Sequence, residues 1–183
     1  MLRNTPALLY RGEDVIITDP CYIVKKEDWP KFCDFLEQQG LYDGNHHGVP
    51  FGAIESAGLK SLGFDHVLCV STATGDGHCD IIDHHGNYLG RFGVDAGVIA
   101  VFTLKEIQKY NPALDIKSLT RYYSAAIIRD FDGSIKIAEI NEDDDEEFET
   151  LVAVIGDGNK ISFRSDGIQL LITLIGACSL RPI

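Results

Sequence analysis

The stretch GDGHCDIIDHHGNYLGRFGVDAGVIAVF, residues 75–102, decides the fold and also holds the densest group of polar side chains. Cys79 to Ile82 and Tyr88 to Phe92 are short strand-like runs on either side of a turn-forming segment, which predicts a β-hairpin. Val98 to Phe102 is an uninterrupted apolar run and is typical of a buried strand. Residues 75–97 contain three of the six histidines, four aspartates and six glycines, so we expect any chemistry there.

Outward from this stretch, the chain adds more strands and two helices. Val15 to Thr18 is a predicted strand, which must end before the next proline because proline cannot donate to a sheet ladder. Leu104 to Tyr110 is predicted as a short helix that begins with a capping box of Thr103 and Glu106. The strongest helix is predicted from residues at helical spacing, which are Trp29, Phe32, Cys33 and Leu36.

The fold class follows from the balance of these elements. Beyond Tyr123, turn signals between short apolar runs predict an antiparallel meander. About ten short strands with one strong and one short helix predict a β-rich α+β fold. We expect a single domain over residues 1–183, built as a mostly antiparallel sandwich or open barrel with flanking helices.

Length, cysteines and charge limit the classes of function. No apolar run approaches the roughly 20 residues of a membrane-spanning helix and no signal peptide is evident, so a soluble, cytoplasmic protein without a membrane partner is expected. The five scattered cysteines favour reduced thiols. A net charge of -12 argues against a nucleic-acid partner. A small molecule, a cation or a basic protein stays open as a partner, and the sequence specifies neither a cofactor nor an oligomeric state.

A metal site is the first candidate for chemistry. If residues 78–82 form a strand, His78 and Asp80 share one face, where they can converge with Asp76, His84 or His85 on a cation. The spacing excludes an EF-hand, because Ile81 occupies the position that needs glycine. The alternative is that residues 83–87, which include His84 and His85, form an exposed hairpin tip with no ligand.

A reactive thiol is the second candidate, in the segment TDPCY at residues 18–22. Cys21 follows a core strand, and a histidine such as His78 or His46 would activate it as a nucleophile. The alternative interpretation is structural: Asp19 accepts hydrogen bonds from nearby backbone, and Cys21 and Tyr22 pack inward.

A lone acid among small residues is the third candidate. Asp95 lies in Gly93-Val-Asp-Ala-Gly97, directly before an apolar strand, so a carboxylate buried there needs a partner. Arg91, backbone amides at a glycine bulge, a metal or a ligand are the alternatives.

The ordered motifs DPCY, GDG and VDAG resemble those of a family of small uncharacterised proteins from bacteria and their phages, which has no assigned activity. The resemblance spans most of the chain and implies one site assembled from three segments. The positions it singles out are Asp19, Cys21, Tyr22, Gly75, Asp76, Gly77, Asp95 and Gly97.

Three functions remain open from the sequence. The preferred one is a ligand-binding or protein-interaction domain, regulatory or connected with conflict between phage and host, whose polar pocket is built from the three motifs. The alternative is a small hydrolase, which is either thiol-based through Cys21 and His78 or metal-assisted through Asp76, His78, Asp80 and Asp95. A structural subunit that assembles through its C-terminal strands is the third.

Overall fold

Two antiparallel sheets and four α-helices are present in the part of the chain that the computed structural model describes. The described residues are 10–38, 52–54, 57–65, 67–72, 76–83, 85–131, 135–140, 149–155, 160–165, 168–173 and 180–182. The helices are α1 Trp29–Gln38, α2 Ala57–Leu62, α3 Leu104–Tyr110 and α4 Ile116–Arg121, and a 3-10 turn spans Pro20–Tyr22.

The strands divide between a five-stranded and a seven-stranded sheet. The first has the order β2-β3-β6-β1-β7, and its strands are β1 Val15–Thr18, β2 Gly52–Ile54, β3 Val67–Ser71, β6 Val98–Thr103 and β7 Ala125–Ile128. The second has the order β12-β11-β10-β9-β8-β4-β5, and its strands are β4 Gly77–Asp83, β5 Tyr88–Val94, β8 Ile135–Ile140, β9 Glu149–Ile155, β10 Lys160–Ser165, β11 Ile168–Thr173 and β12 Leu180–Pro182.

The strands β1 and β6 of the five-stranded sheet are buried on both faces, because one face packs on the second sheet and the other on helices. Along β1, Val15 and Ile17 point into the core between the sheets, whereas Ile16 points toward the helices. The same alternation along β6 places Phe102 against Phe32 of α1. Every residue of β1 and β6 is therefore buried, which explains why these strands are continuous apolar runs.

The open edge of the sandwich is formed by β5 and β7. Each is the outermost strand of its own sheet, and the two strands contact each other. Gly90 of β5 comes so close to β7 that a Cβ built on it would lie 3.1 Å from the Cβ of Ala126. The Gly93 amide donates to the Tyr123 carbonyl oxygen at 2.6 Å, which ties the edge of the second sheet to the segment before β7.

The predicted α+β fold with antiparallel sheets is confirmed, and the two sheets do not close into a barrel. The capping box of α3 also forms, since the Glu106 amide donates to Thr103 Oγ1 at 3.2 Å. None of the helices in the described ranges is long and apolar enough to cross a membrane.

Three predictions about the elements hold only in part. Four α-helices are described instead of two, because α2 and α4 have only six residues each and α4 buries none of its side chains fully. The predicted meander beyond Tyr123 forms from β8 to β12, which pair in chain order, but its first strand lies elsewhere, because β7 pairs with β1 in the other sheet. The helical spacing also predicts that Cys33 lies on the buried face of α1, where it is in fact only half-buried.

Candidate functional site

Asp19 joins two of the three sequence motifs through its carboxylate. Its side chain is fully buried and accepts hydrogen bonds from the Cys21 amide at 2.8 Å, the Asp95 amide at 2.8 Å and the Ala96 amide at 2.5 Å. Three amide donors compensate for taking this carboxylate out of water. We call Asp19, Tyr22 and residues 95–96 the Asp19 junction.

Tyr22 completes the junction on its solvent side. Its hydroxyl donates to the Asp95 carboxylate, so each of the two aspartates contacts the opposite segment. The Asp95 side chain is exposed, contrary to the prediction of a largely buried acid. The buried carboxylate that needs partners is instead Asp19, and Asp95 contributes its backbone amide to it.

Cys21 lies beside the junction in a negative environment. Burial, and then the charge of Asp19 and a hydrogen bond with it, raise the pKa of the Cys21 thiol well above its usual value. The charges of Asp95 and Asp76 raise it further, which also shows that the GDG segment approaches the other two motifs. The thiol is therefore protonated at neutral pH, the opposite of what a thiolate nucleophile requires.

The predicted metal ligands are not gathered around one point. The predicted alternation along β4 is confirmed, since Cys79 and Ile81 are buried while His78 is exposed. Asp80, however, pairs with Arg91 on β5 through two hydrogen bonds of 2.8 and 3.2 Å. Among the residues that the structure describes, no three histidine, cysteine, aspartate or glutamate side chains are arranged to hold a metal ion.

The turn after β4 is an exposed hairpin tip, as in the alternative interpretation. Asp83 accepts hydrogen bonds from the amides of His85 and Asn87, both at 2.8 Å. The Asn87 side chain also donates to Asp83 and lowers the pKa of its carboxyl. These contacts engage the Asp83 carboxylate in shaping the tip. His46 and His84 lie outside the described residues.

Two glycines of the motifs, Gly77 and Gly97, have structural roles in the backbone. Gly97 has φ of +69°, a conformation that favours glycine, and its carbonyl accepts the Thr72 amide at 2.9 Å. Gly77 pairs with Val94 at the start of β4. Gly75 lies outside the described residues.

A group of exposed tyrosines is the feature that the sequence did not reveal. Tyr88, Tyr122 and Tyr123 expose 59%, 69% and 57% of their surface; Tyr88 lies on β5, and the other two lie in the segment between α4 and β7. A groove of about 420 Å³ runs between β5 and β7 there. We call it the tyrosine groove, and its lining is Tyr88, Leu89, Gly90, Arg91, Thr120, Tyr123, Ala125, Ala126 and Ile127.

Tyr123 is held in a strained backbone conformation. Its φ is +57°, a region that bulky residues rarely adopt. The cost is offset by its carbonyl, which accepts from Gly93, and by the next residue, Ser124, whose amide donates to Leu119 and whose carbonyl accepts the Thr18 hydroxyl at 2.6 Å. The fold thus fixes the backbone from which this exposed aromatic ring projects.

The tyrosine groove and the Asp19 junction are neighbours on the molecule. Thr18, which bonds to Ser124, directly precedes Asp19 in the chain. Gly93, which bonds to Tyr123, lies two residues before Asp95. Since a strand rises about 3.3 Å per residue, the two features are separated by roughly 7 Å of β5 and its extension.

Alkaline pH provides a test of the junction. Burial, and then the hydrogen bond to Asp95, raise the pKa of Tyr22 well above its ordinary value of about 10. The folded state keeps this proton to higher pH than the unfolded state, so the stabilisation is present below pH of about 10 and is lost as the pH rises through the folded pKa. We expect the Tyr22→Phe variant to lose less stability than the wild type above pH of about 10 in urea titrations. Equal slopes would show that Tyr22 does not hold its proton as described.

Comparisons with protein-family models, with curated proteins and with solved structures found no match for this chain. The resemblance to the bacterial and phage family carried by DPCY, GDG and VDAG therefore stays a prediction.

Proposed function

We propose that this chain is a protein-interaction domain whose recognition surface is the tyrosine groove at the open edge of the sandwich. The observation that carries the proposal is a groove lined by two tyrosines that are each more than half exposed, Tyr88 and Tyr123, with the exposed Tyr122 directly beside Tyr123 in the chain. Tyrosine offers a large contact area at a small entropic cost, and it is enriched where proteins recognise one another.

The shape of this surface favours a protein over a small molecule. Small-molecule sites enclose most of their ligand, whereas the tyrosine rings here project beyond a groove between two strand edges. The anchoring of Tyr123 supports the same conclusion, because a fixed backbone lowers the ordering cost of an aromatic contact.

The hydrolase alternative has less support. A thiol mechanism needs a lowered pKa, whereas burial and then the carboxylates beside Cys21 raise the pKa of this thiol. A metal mechanism needs converging ligands, whereas Asp80 is engaged by Arg91. The sequence motifs DPCY, GDG and VDAG predicted a polar pocket. In this proposal the Asp19 junction takes its place and stabilises the backbone at one end of the tyrosine groove.

Site-specific crosslinking tests the proposal. With p-benzoylphenylalanine in place of Tyr122, we expect irradiation in the native host to give a discrete crosslinked protein species. The additional change Tyr123→Ala is expected to reduce that species by about tenfold, which is the usual effect of losing an aromatic anchor.

The matched control carries the same photoreactive group at Lys31, an exposed position on α1 in the layer of helices. We expect no such species from it. Equal crosslinking from the two positions, or no species from Tyr122, would contradict the proposal.

A further inference from the structure

We infer that the segment recognised by the tyrosine groove is an extended stretch of a partner protein that carries lysine or arginine side chains. This inference rests on the proposed function and adds the chemical class of the partner. It depends on the length of β5, on the charges along it and on the charge of the whole chain.

The groove has the length of a short extended segment. β5 has seven residues from Tyr88 to Val94, which corresponds to roughly 20 Å of strand. Tyr88 lies at one end and Asp95 follows the other, and Tyr123 is bonded to Gly93 near that second end. About seven residues of an extended partner would therefore contact tyrosine along most of the groove and reach Asp95.

Exposed negative charge lies at that second end. Gly77 pairs with Val94, so the residues just beyond the ladder, Asp76 and Asp95, come next to each other across β4 and β5. Both side chains are exposed.

Two arginines near the groove already contact other side chains of the chain. Arg91 forms its ion pair with Asp80 in the middle of the strand. The Arg121 guanidinium lies 5.6 Å from the centre of the Tyr122 ring. That contact also demonstrates that a tyrosine on this face can receive a guanidinium group, as a basic partner would require.

The net charge of -12 selects a basic partner over a second copy of the chain. Two copies repel each other, whereas a basic segment is attracted from a distance and then stabilised by the two exposed aspartates. Aromatic faces beside carboxylates are a suitable surface for lysine and arginine, whose stems are apolar and whose ends are charged.

Defined peptides test this inference on the full chain. One probe is a capped heptapeptide with arginine at alternate positions and valine between, and its counterpart has glutamate in place of each arginine. By NMR titration of labelled protein, we expect the basic peptide to shift amide signals of β5 and of Tyr122 to Ser124, and the acidic peptide to shift none. Binding should weaken as salt is raised.

Two double variants with the same change in net charge show whether the basic peptide is attracted by the two aspartates at the groove or by the overall charge of the chain. Asp76→Asn with Asp95→Asn removes the charges at the end of the groove, and asparagine retains an oxygen that can accept from Tyr22. Asp34→Asn with Glu37→Gln removes two exposed charges from α1. We expect the first pair to weaken binding of the basic peptide about fivefold and the second less than about twofold.

Equal effects of the two pairs, or binding of the acidic peptide, would overturn the inference. If neither peptide binds while the Tyr122 crosslink persists, the basic segment is wrong and the interaction surface stands. If the crosslink is absent as well, the proposed function fails with it.

Discussion

Asp19→Ala is expected to lower the free energy of unfolding by about 3–5 kcal/mol, a large part of the stability of an ordinary domain. The substitution leaves three amide donors at the Asp19 junction without their acceptor, and each buried unsatisfied donor costs about 1–3 kcal/mol before water or relaxation compensates. It also releases the tie between two segments that are 76 residues apart. Urea unfolding at neutral pH measures the loss.

Two further variants separate the carboxylate from its charge. Asp19→Asn keeps one acceptor oxygen but turns an amide group toward backbone donors, so we expect an intermediate loss of about 2 kcal/mol. Asp34→Asn removes the same charge from an exposed position and should change the stability by less than about 0.5 kcal/mol. An alanine variant as stable as Asp34→Asn would show that the junction does not stabilise the fold.

The sequence alone predicted the local part of the Asp19 junction but not its contact with residues 95–96. Local bonding of Asp19 to the turn was expected, and its contact with the Cys21 amide fulfils that expectation. The approach of DPCY to VDAG was suggested only by resemblance, because hydrogen bonds to residues far along the chain leave no periodic signal. Asp95 was expected to be the buried acid because its neighbours in the chain are small and apolar. Such neighbours do not indicate whether the side chain or the backbone amide points inward.

The tyrosine groove was missed for a different physical reason. Its residues come from β5, from β7 and from the end of α4 with Tyr123 behind it, and only the packing of two sheet edges brings them together. On β5, strict alternation would place Tyr88 on the same side as buried Phe92. A bulge prevents this, because Ile81 pairs with Gly90 and Ile82 with Tyr88, so Leu89 is an extra residue.

Because the bulge places Tyr88 and Phe92 on opposite faces of β5, we expect very different effects when each is replaced. Phe92 is fully buried in the core between the sheets, so Phe92→Ala is expected to lower the free energy of unfolding by about 3–5 kcal/mol. Tyr88 projects from the groove, so Tyr88→Ala should cost less than about 0.5 kcal/mol. Both values can be measured by urea unfolding, with Phe92→Leu as a control of about 1 kcal/mol because it keeps most of the buried volume.

The same two residues also separate stability from recognition. Tyr88→Ala should weaken the crosslink from position 122 while the fold remains intact, because an exposed aromatic side chain contributes to a contact rather than to the core. Similar losses of stability in Phe92→Ala and Tyr88→Ala would mean that the bulge does not turn Tyr88 outward. The groove would then lack one of the two exposed tyrosines that line it, and the recognition surface would have to lie elsewhere on the molecule.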